Sequence, residues 1–325
     1  MSERLLVTGR DSQGNVVTHT LDVPLDAPPP SGGFSHGAEI TKAGIGPTGP
    51  LTASGSLSLK DGDVIENRDI NGVISLAAGA HAVLRNCRIV GPLDAAKSTY
   101  SAKLTAGGGL LLEMHDCEVV TRYAETKGVV MWGDGNVAAY RTIFRGGTDN
   151  AYLNPHNTPG RIATGDADVP HARALFEDCW FGDLQRYSGS HSDCFQVDGG
   201  GYTLLRRCRI MSYNIPLGSD PLTVEADGSE LASGGLILTQ NSTSPNQLSH
   251  VALVDSWAEG GNYTVDMNPT DGLVPHSMVA RGNRFGLAHR YGPLRTPPDT
   301  TRTGNVWGET GTTGSGTQVS AGDPL

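Results

Sequence analysis

A short phrase recurs along this chain: alternating apolar and polar residues, a polar turn, a small residue, then alternation again. It stands as VIENRDING (64–72), AVLRNCRIVG (82–91), LLEMHDCEVV (111–120), VAAYRTIFRG (137–146), ALFEDCWFGD (174–183) and TLLRRCRIMS (203–212). Weaker copies are VALVDSWAEG (251–260), SMVARGNRFG (277–286) and TRTGNVWG (301–308). Aligned on Cys87, Cys117, Cys179 and Cys208, the shared position holds Arg68, Thr142, Ser256, Asn283 and Asn305 in the other copies. The steps along the chain are 19, 30, 25, 37, 29, 48, 27 and 22 residues. Self-similarity at about 20–50 residues marks solenoids and propellers. The unit here is strand plus turn with no helical stretch, and the step is uneven, whereas propeller blades need a steadier period of about 40 or more. A parallel β-helix needs only one coil of two or three short strands per repeat, with loops inserted between them. The fold class is therefore all-β, a right-handed parallel β-helix. Its coils stack at about 4.8 Å, each covering the apolar face of the next.

Composition supports this. Glycine is 44 of 325 residues, about twice the usual share, and suits tight corners that need positive φ. The apolar fraction is only 37%, but it recurs in register. Net charge is 24 − 34 = −10, and no basic run exceeds Arg206-Arg207, so no nucleic-acid footprint is present. No stretch approaches 18 apolar residues, and no membrane insertion is expected. The opening MSERLLVTGRDSQG lacks an apolar signal-peptide core. Four of the five cysteines share the repeat position while Cys194 does not, and no CxxC pair exists. They are read as an internal ladder of small buried side chains rather than a zinc or disulfide set. No metal or cofactor is expected.

Three segments follow. Residues 1–33 form an N-terminal docking arm: a hairpin over 2–24 turning at Asp11 to Asn15, then the Pro-rich linker LDAPPPSGG. Residues 34–310 form the β-helix, with GIGPTGP (44–50) as a loop and the first two coils in 51–92. Residues 93–110 and 121–129 read as loops or partial coils. Residues 147–173 and 212–234 read as long insertions, with a shorter one at 241–250, leaving from corresponding edges of neighbouring coils. Residues 311–325 are low in apolar content and read as a flexible tail.

The densest polar cluster is SGSHSDCFQVDGG (188–200). Strand alternation turns Phe195 and Val197 inward and Gln196 and Asp198 outward, and places Asp193 on the preceding corner with His191. Equivalent strands over 128–132, 235–240 and 263–267 offer Trp132, Gln240, Tyr263 and Asp266. With Asn154 and His156 these make a shallow groove along the stack. Rings and carboxylates in such a groove suit sugars, because flat rings stack on C–H faces and acids accept hydroxyl hydrogen bonds. As an enzyme, the chain would draw its catalytic groups from His191, Asp193, Asp198 and Asp266. Glycoside hydrolysis needs two carboxyls about 5–5.5 or 6.5–9.5 Å apart. The other reading is structural: His-x-Asp before a strand satisfies turn backbone, and Gln240 belongs to a corner ladder. No GxSxG elbow, P-loop, GxGxxG or HExxH occurs.

The opening GPLTASGSLSLKDGDVIENRDINGVISLAAGAHAVLRNCRIVG resembles the first coils of pectate-lyase-like right-handed β-helix proteins, especially those of actinobacteria and their phages. HSDCFQVDGG resembles their H-[ST]-D-x-[IVF]-Q turn-strand, and RFGLAHRYGPLRTP…GNVWGETG their closing coil. The resemblance implies a virion protein (tail spike, tail fibre or capsid-surface decoration). It would form a homotrimer, dock on other virion proteins through its N-terminal arm, and bind host glycan along the β-helix. The alternative within the same family is a polysaccharide lyase or glycoside hydrolase. No set here matches the calcium cluster and catalytic Arg of pectate lyases or the NTD, DD, GHG and RIK motifs of polygalacturonases.

Overall fold

Each copy of the repeated phrase closes one corner of a coil. The computed structural model describes residues 2–10, 16–24, 34–91, 100–104, 109–122, 127–186, 191–239, 248–267 and 275–307. It divides into two units, 1–33 and 34–325. The first holds an antiparallel hairpin, Ser2–Arg10 paired with Val16–Pro24, as the alternation and turn residues predict. The expected turn (11–15), linker (25–33) and tail (311–325) lie outside the described residues.

The second unit is a right-handed parallel β-helix of three sheets, with the hand that nearly all parallel crossovers take. Sheet 1 runs from Leu57–Leu59 through Lys127–Gly133, Asp149–Pro155, Asp193–Asp198, Gly234–Thr239 and Tyr263–Asp266 to Gly292–Arg295. Sheet 2 runs from Val64–Glu66 through Ala174–Glu177 and Gly201–Arg206 to Thr301–Thr303. Sheet 3 runs from Thr52–Ser54 through Trp180–Gly182 and Arg209–Ser212 to Val306–Trp307. Among the described residues there is no α-helix, only two short 3-10 turns at Gly37–Glu39 and Lys42–Gly44.

The corner from sheet 2 to sheet 3 explains the repeat. Its first residue is left-handed in every coil: Asn67, Asn86, Asp116, Arg141, Asp178, Arg207, Asp255, Gly282 and Gly304, with φ between 46° and 69°. The next residue is the repeat position, and from Cys87 to Asn305 it is buried in every coil. All eight occupants carry a small donor. The Cys87, Cys117, Cys179 and Cys208 thiols lie against backbone carbonyls, Thr142 Oγ1 and Ser256 Oγ donate to carbonyls two residues back, and Asn283 and Asn305 reach carbonyls of the preceding coil. The expected cysteine ladder is present and its thiols are free. Arg68, at the first coil, is the exposed exception.

Inward residues of the three sheets form one continuous core. At its widest, Phe144, Phe176, Phe181 and Phe195 pack at centroid distances of 4.9 to 5.8 Å. Each contributes about 1.5–3 kcal/mol by leaving water.

Several loop boundaries differ from the sequence reading. Tyr100–Leu104 is a sheet 1 strand within a stretch read as loop or partial coil, while the strand read over 128–132 is present as Lys127–Gly133. Asp149–Pro155 is a seven-residue strand rather than insertion, so the insertion proper is 156–173. It does not leave from the same edge as 213–233: the first departs between sheets 1 and 2, the second between sheets 3 and 1. The 156–173 segment lays Ile162, Val169 and Ala172 on the outer face of sheet 2, against Leu111, Ala138, Leu175, Leu204 and Val279.

A second feature escaped the sequence. Residues 36–52 form a strap that crosses the coils in reverse order. His36 Nε2 bonds Gly282 O at 3.1 Å and Gly37 N–H donates to Asp255 O at 2.8 Å. Lys42 Nζ meets Asp183 at 2.8 Å, Gly46 N–H donates to Arg141 O, Thr48 exchanges hydrogen bonds with Asn86, and Thr52 N–H donates to Asn67 O. Gly37 must be glycine, since a Cβ there would lie 2.0 Å from Cys208 O. Ile40 and Ile45 pack on Ile143 and Trp180, covering part of the outer face of sheet 3.

Candidate functional site

The outer face of sheet 1 remains. Parallel register aligns its outward side chains into rows along the stack. One row is Lys127, Asp149, Asp193, Gly234, Tyr263 and Gly292; the next is Val130, Tyr152, Gln196, Ile237, Asp266 and Arg295. A third pairs Trp132 with Asn154, and Asp198 with Thr239.

Asp198 and Gln196 point outward and are half-buried, as alternation predicts. Tyr152 Oη donates to Asp198 Oδ2 at 2.7 Å, Gln196 Nε2 to Thr239 Oγ1 at 3.0 Å, and Thr239 Oγ1 to Asp198 Oδ1 at 3.3 Å. Burial, then the bond to Asp198, raises the Tyr152 pKa and keeps its hydroxyl a donor. Further along, Arg295 grips Asp266 with both Nε and Nη2 and lies 4.6 Å from the Tyr263 ring. Tyr263 in turn stands 5.6 Å from Tyr291. Asp266 is therefore on the outer row but covered, 9% exposed.

Asp193 is the first residue of its strand, next to the corner where the sequence placed it; it is 2% exposed, and its Oδ1 has no hydrogen-bond partner. Burial first, and the neighbouring Asp149 second, push its pKa well above the carboxylate range. Asp149 is raised too, by burial, against the pull of Lys127, whose Nζ sits 2.7 Å away. Asp193 thus belongs to a buried Lys127–Asp149–Asp193 stack. His191 precedes it, exposed. Asn154 is half-buried at the end of its strand and His156 is exposed just beyond. The backbone of Trp132 pairs with Asn154, while its side chain and all of Gln240 lie outside the described residues.

The structure therefore brings together Gln196 and Asp198, and separately Tyr263 and Asp266. Lys127, Asp149, Tyr152, Thr239 and Arg295 were missed. Alternation of Ala151 and Leu153 in DNAYLNP was the available signal for Tyr152; the preceding Gly146-Gly147 and following Pro155 masked it as loop. Among the described residues no group of three or more His, Cys, Asp or Glu side chains could hold a metal ion, and no helix is long and apolar enough to cross a membrane.

What the arrangement can do chemically is bind a polyhydroxylated chain: rings at Tyr152 and Tyr263, acceptors at Asp198 and Gln196, and a guanidinium at Arg295 recur along one ribbon. No protein-family model, curated relative or solved structure matches this chain.

Proposed function

We propose that this β-helix binds an extended saccharide along the outer face of sheet 1, as a surface protein of a virion: a tail spike, tail fibre or capsid decoration. The observation that carries the saccharide reading is the ribbon of half-buried Tyr152, Gln196, Asp198, Tyr263 and Arg295, held in register on one face. Successive coils repeat at about 4.8 Å, so a sugar chain lying along the stack meets a new row at each step. In this reading the antiparallel hairpin Ser2–Pro24 docks on other virion proteins and the β-helices associate as a homotrimer. Titration of host surface polysaccharide fragments into the full chain tests the binding; wild-type affinity in a Tyr152→Ala, Tyr263→Ala double variant would sink it. Native mass tests the trimer.

A second reading, polysaccharide cleavage, is favoured by one observation: Asp193 is buried beside Asp149, and burial pushes its pKa up, toward the protonated form a general acid needs. It predicts new reducing ends or unsaturated products from a host polysaccharide, lost in Asp193→Ala or Asp198→Ala. Binding without products on a broad polysaccharide panel selects the first reading.

A further inference from the structure

A cleft of about 430 Å³ lies on the other side of the coil, where the strap, the outer face of sheet 3 and the 213–233 insertion meet. It shares no residue with the sheet 1 rows. Its size falls within the range of small-ligand cavities, about 300–1,000 Å³. Ile40 and Lys42 line it from the strap, Trp180, Asp183, Arg209 and Met211 from the sheet, and Tyr213, Glu225 and Asp227 from the insertion.

The charges in the wall are not equivalent. Lys42 is spoken for: its Nζ lies 2.8 Å from Asp183 and 2.8 Å from Glu225, and 4.4 Å from the Trp180 ring centroid. Asp183 also accepts the Ala226 N–H, which pins the insertion to the sheet. Arg209 has no such partner. It is half-buried, Nη1 donates to the strap carbonyls of Ala38 and Ile40, and its guanidinium stacks 5.5 Å from Trp257. Among the described residues no carboxylate lies within ion-pair distance of it. Burial lowers its pKa, with the charge of Glu259 pulling the other way. A guanidinium has five N–H donors in a fixed fork that matches a carboxylate, and the two carbonyl contacts use one nitrogen.

The lining sums to two positive and three negative side chains. With Lys42 held between Asp183 and Glu225, the one remaining guanidinium matches a single carboxylate rather than a multiply charged phosphate, and the surplus carboxylates suit a ligand bearing several hydroxyl donors. Glu225 and Asp227 stand at the exposed side of the cleft and accept such donors.

We propose that this cleft is a binding site for a single carboxylate-bearing sugar of the uronic acid type, its carboxylate on Arg209 and its hydroxyls on Glu225 and Asp227. Calorimetric titration of the full chain with glucuronate and galacturonate, and with glucose, acetate and phosphate as controls, tests it. The expected result is uronate binding at least about tenfold tighter than any control. It weakens by about tenfold or more in Arg209→Gln. Equal affinity for glucose or phosphate, or full affinity in Arg209→Gln, would overturn it. Because Arg209 also holds the strap, Glu225→Gln combined with Asp227→Asn, both on exposed side chains, provides the second variant. About a threefold or greater loss is expected; wild-type uronate affinity in it overturns the proposal. Failure of saccharide binding on sheet 1 leaves this outcome untouched.

Discussion

The three corners of the coil obey different rules. Between sheets 2 and 3 the strands are joined by two residues in every coil from the first to the last interruption, apart from Glu66 to Arg68, which are joined by one. At the corners flanking sheet 1 the connections range from two residues to twenty-one. The first corner is closed by a hydrogen-bonded side-chain ladder and tolerates no change of length, because an added residue would pull a buried donor off its carbonyl. The other two carry no such ladder through every coil, and there the chain departs and returns freely, since lengthening a loop costs little entropy. One corner therefore holds the solenoid in register, while the other two supply the segments that cover sheet 2 and wall the cleft on sheet 3.

The sharpest break of this contrast is at Arg207. It joins Glu177 and Asp178 across adjacent coils, with side chains 14%, 8% and 2% exposed. Arg207→Met takes one guanidinium from two buried carboxylates, Glu177 keeping its pair with Arg206, and is expected to cost about 3 kcal/mol, read as a lower denaturant midpoint. Next is Asn283→Ala, which removes the bond to Leu253 O and leaves the buried Ser256 N–H without its acceptor. About 1–3 kcal/mol is expected by the same measurement. If either variant is as stable as wild type, the ladder corner is not what holds the coils.

On the variable side, Tyr263→Ala is expected to weaken saccharide binding about tenfold, or about 1.4 kcal/mol, with little change in melting temperature. The buried carboxyl stack gives a pH test. Asp193 has a raised folded pKa, so its neutral form favours the folded state. That contribution is fully present below the unfolded carboxylate pKa of about 3.9 and is lost as pH rises through the folded value. Stability should fall over that window, and Asp193→Asn should flatten the slope; an unchanged slope places the titration elsewhere. The smallest effect is expected at Leu217, 64% exposed on the 213–233 insertion, where Leu217→Ser should stay within about 0.5 kcal/mol of wild type.

The same contrast governs what could be read in advance. The ladder corner imprints one local pattern on each coil, so Cys87, Cys117, Thr142, Cys179, Cys208, Ser256, Asn283 and Asn305 could be aligned by eye. Each is a small donor following a left-handed residue. Sheet 1 was legible only where alternation stood clear of its loops: Gln196 and Asp198 were placed correctly, whereas Tyr152 vanished into a stretch read as insertion. The burial of Asp193 was not legible because exposure is set by the neighbouring coil. Asp149 lies 44 positions earlier in the chain, and only the register Asp149 to Asp193 brings the two together.

By itself, then, the sequence determined the fold class, the coil register at one corner and the N-terminal hairpin, all consequences of local periodicity and turn chemistry. The tertiary structure alone decided the strap, whose His36 meets Gly282 across 246 positions, the burial of Asp193, the capture of Asp266 by Arg295, and the cleft at Arg209. These depend on which coils and loops become neighbours. No residue within a few positions of Gly37 or Arg209 carries that information, because the partner surface exists only after the stack has closed.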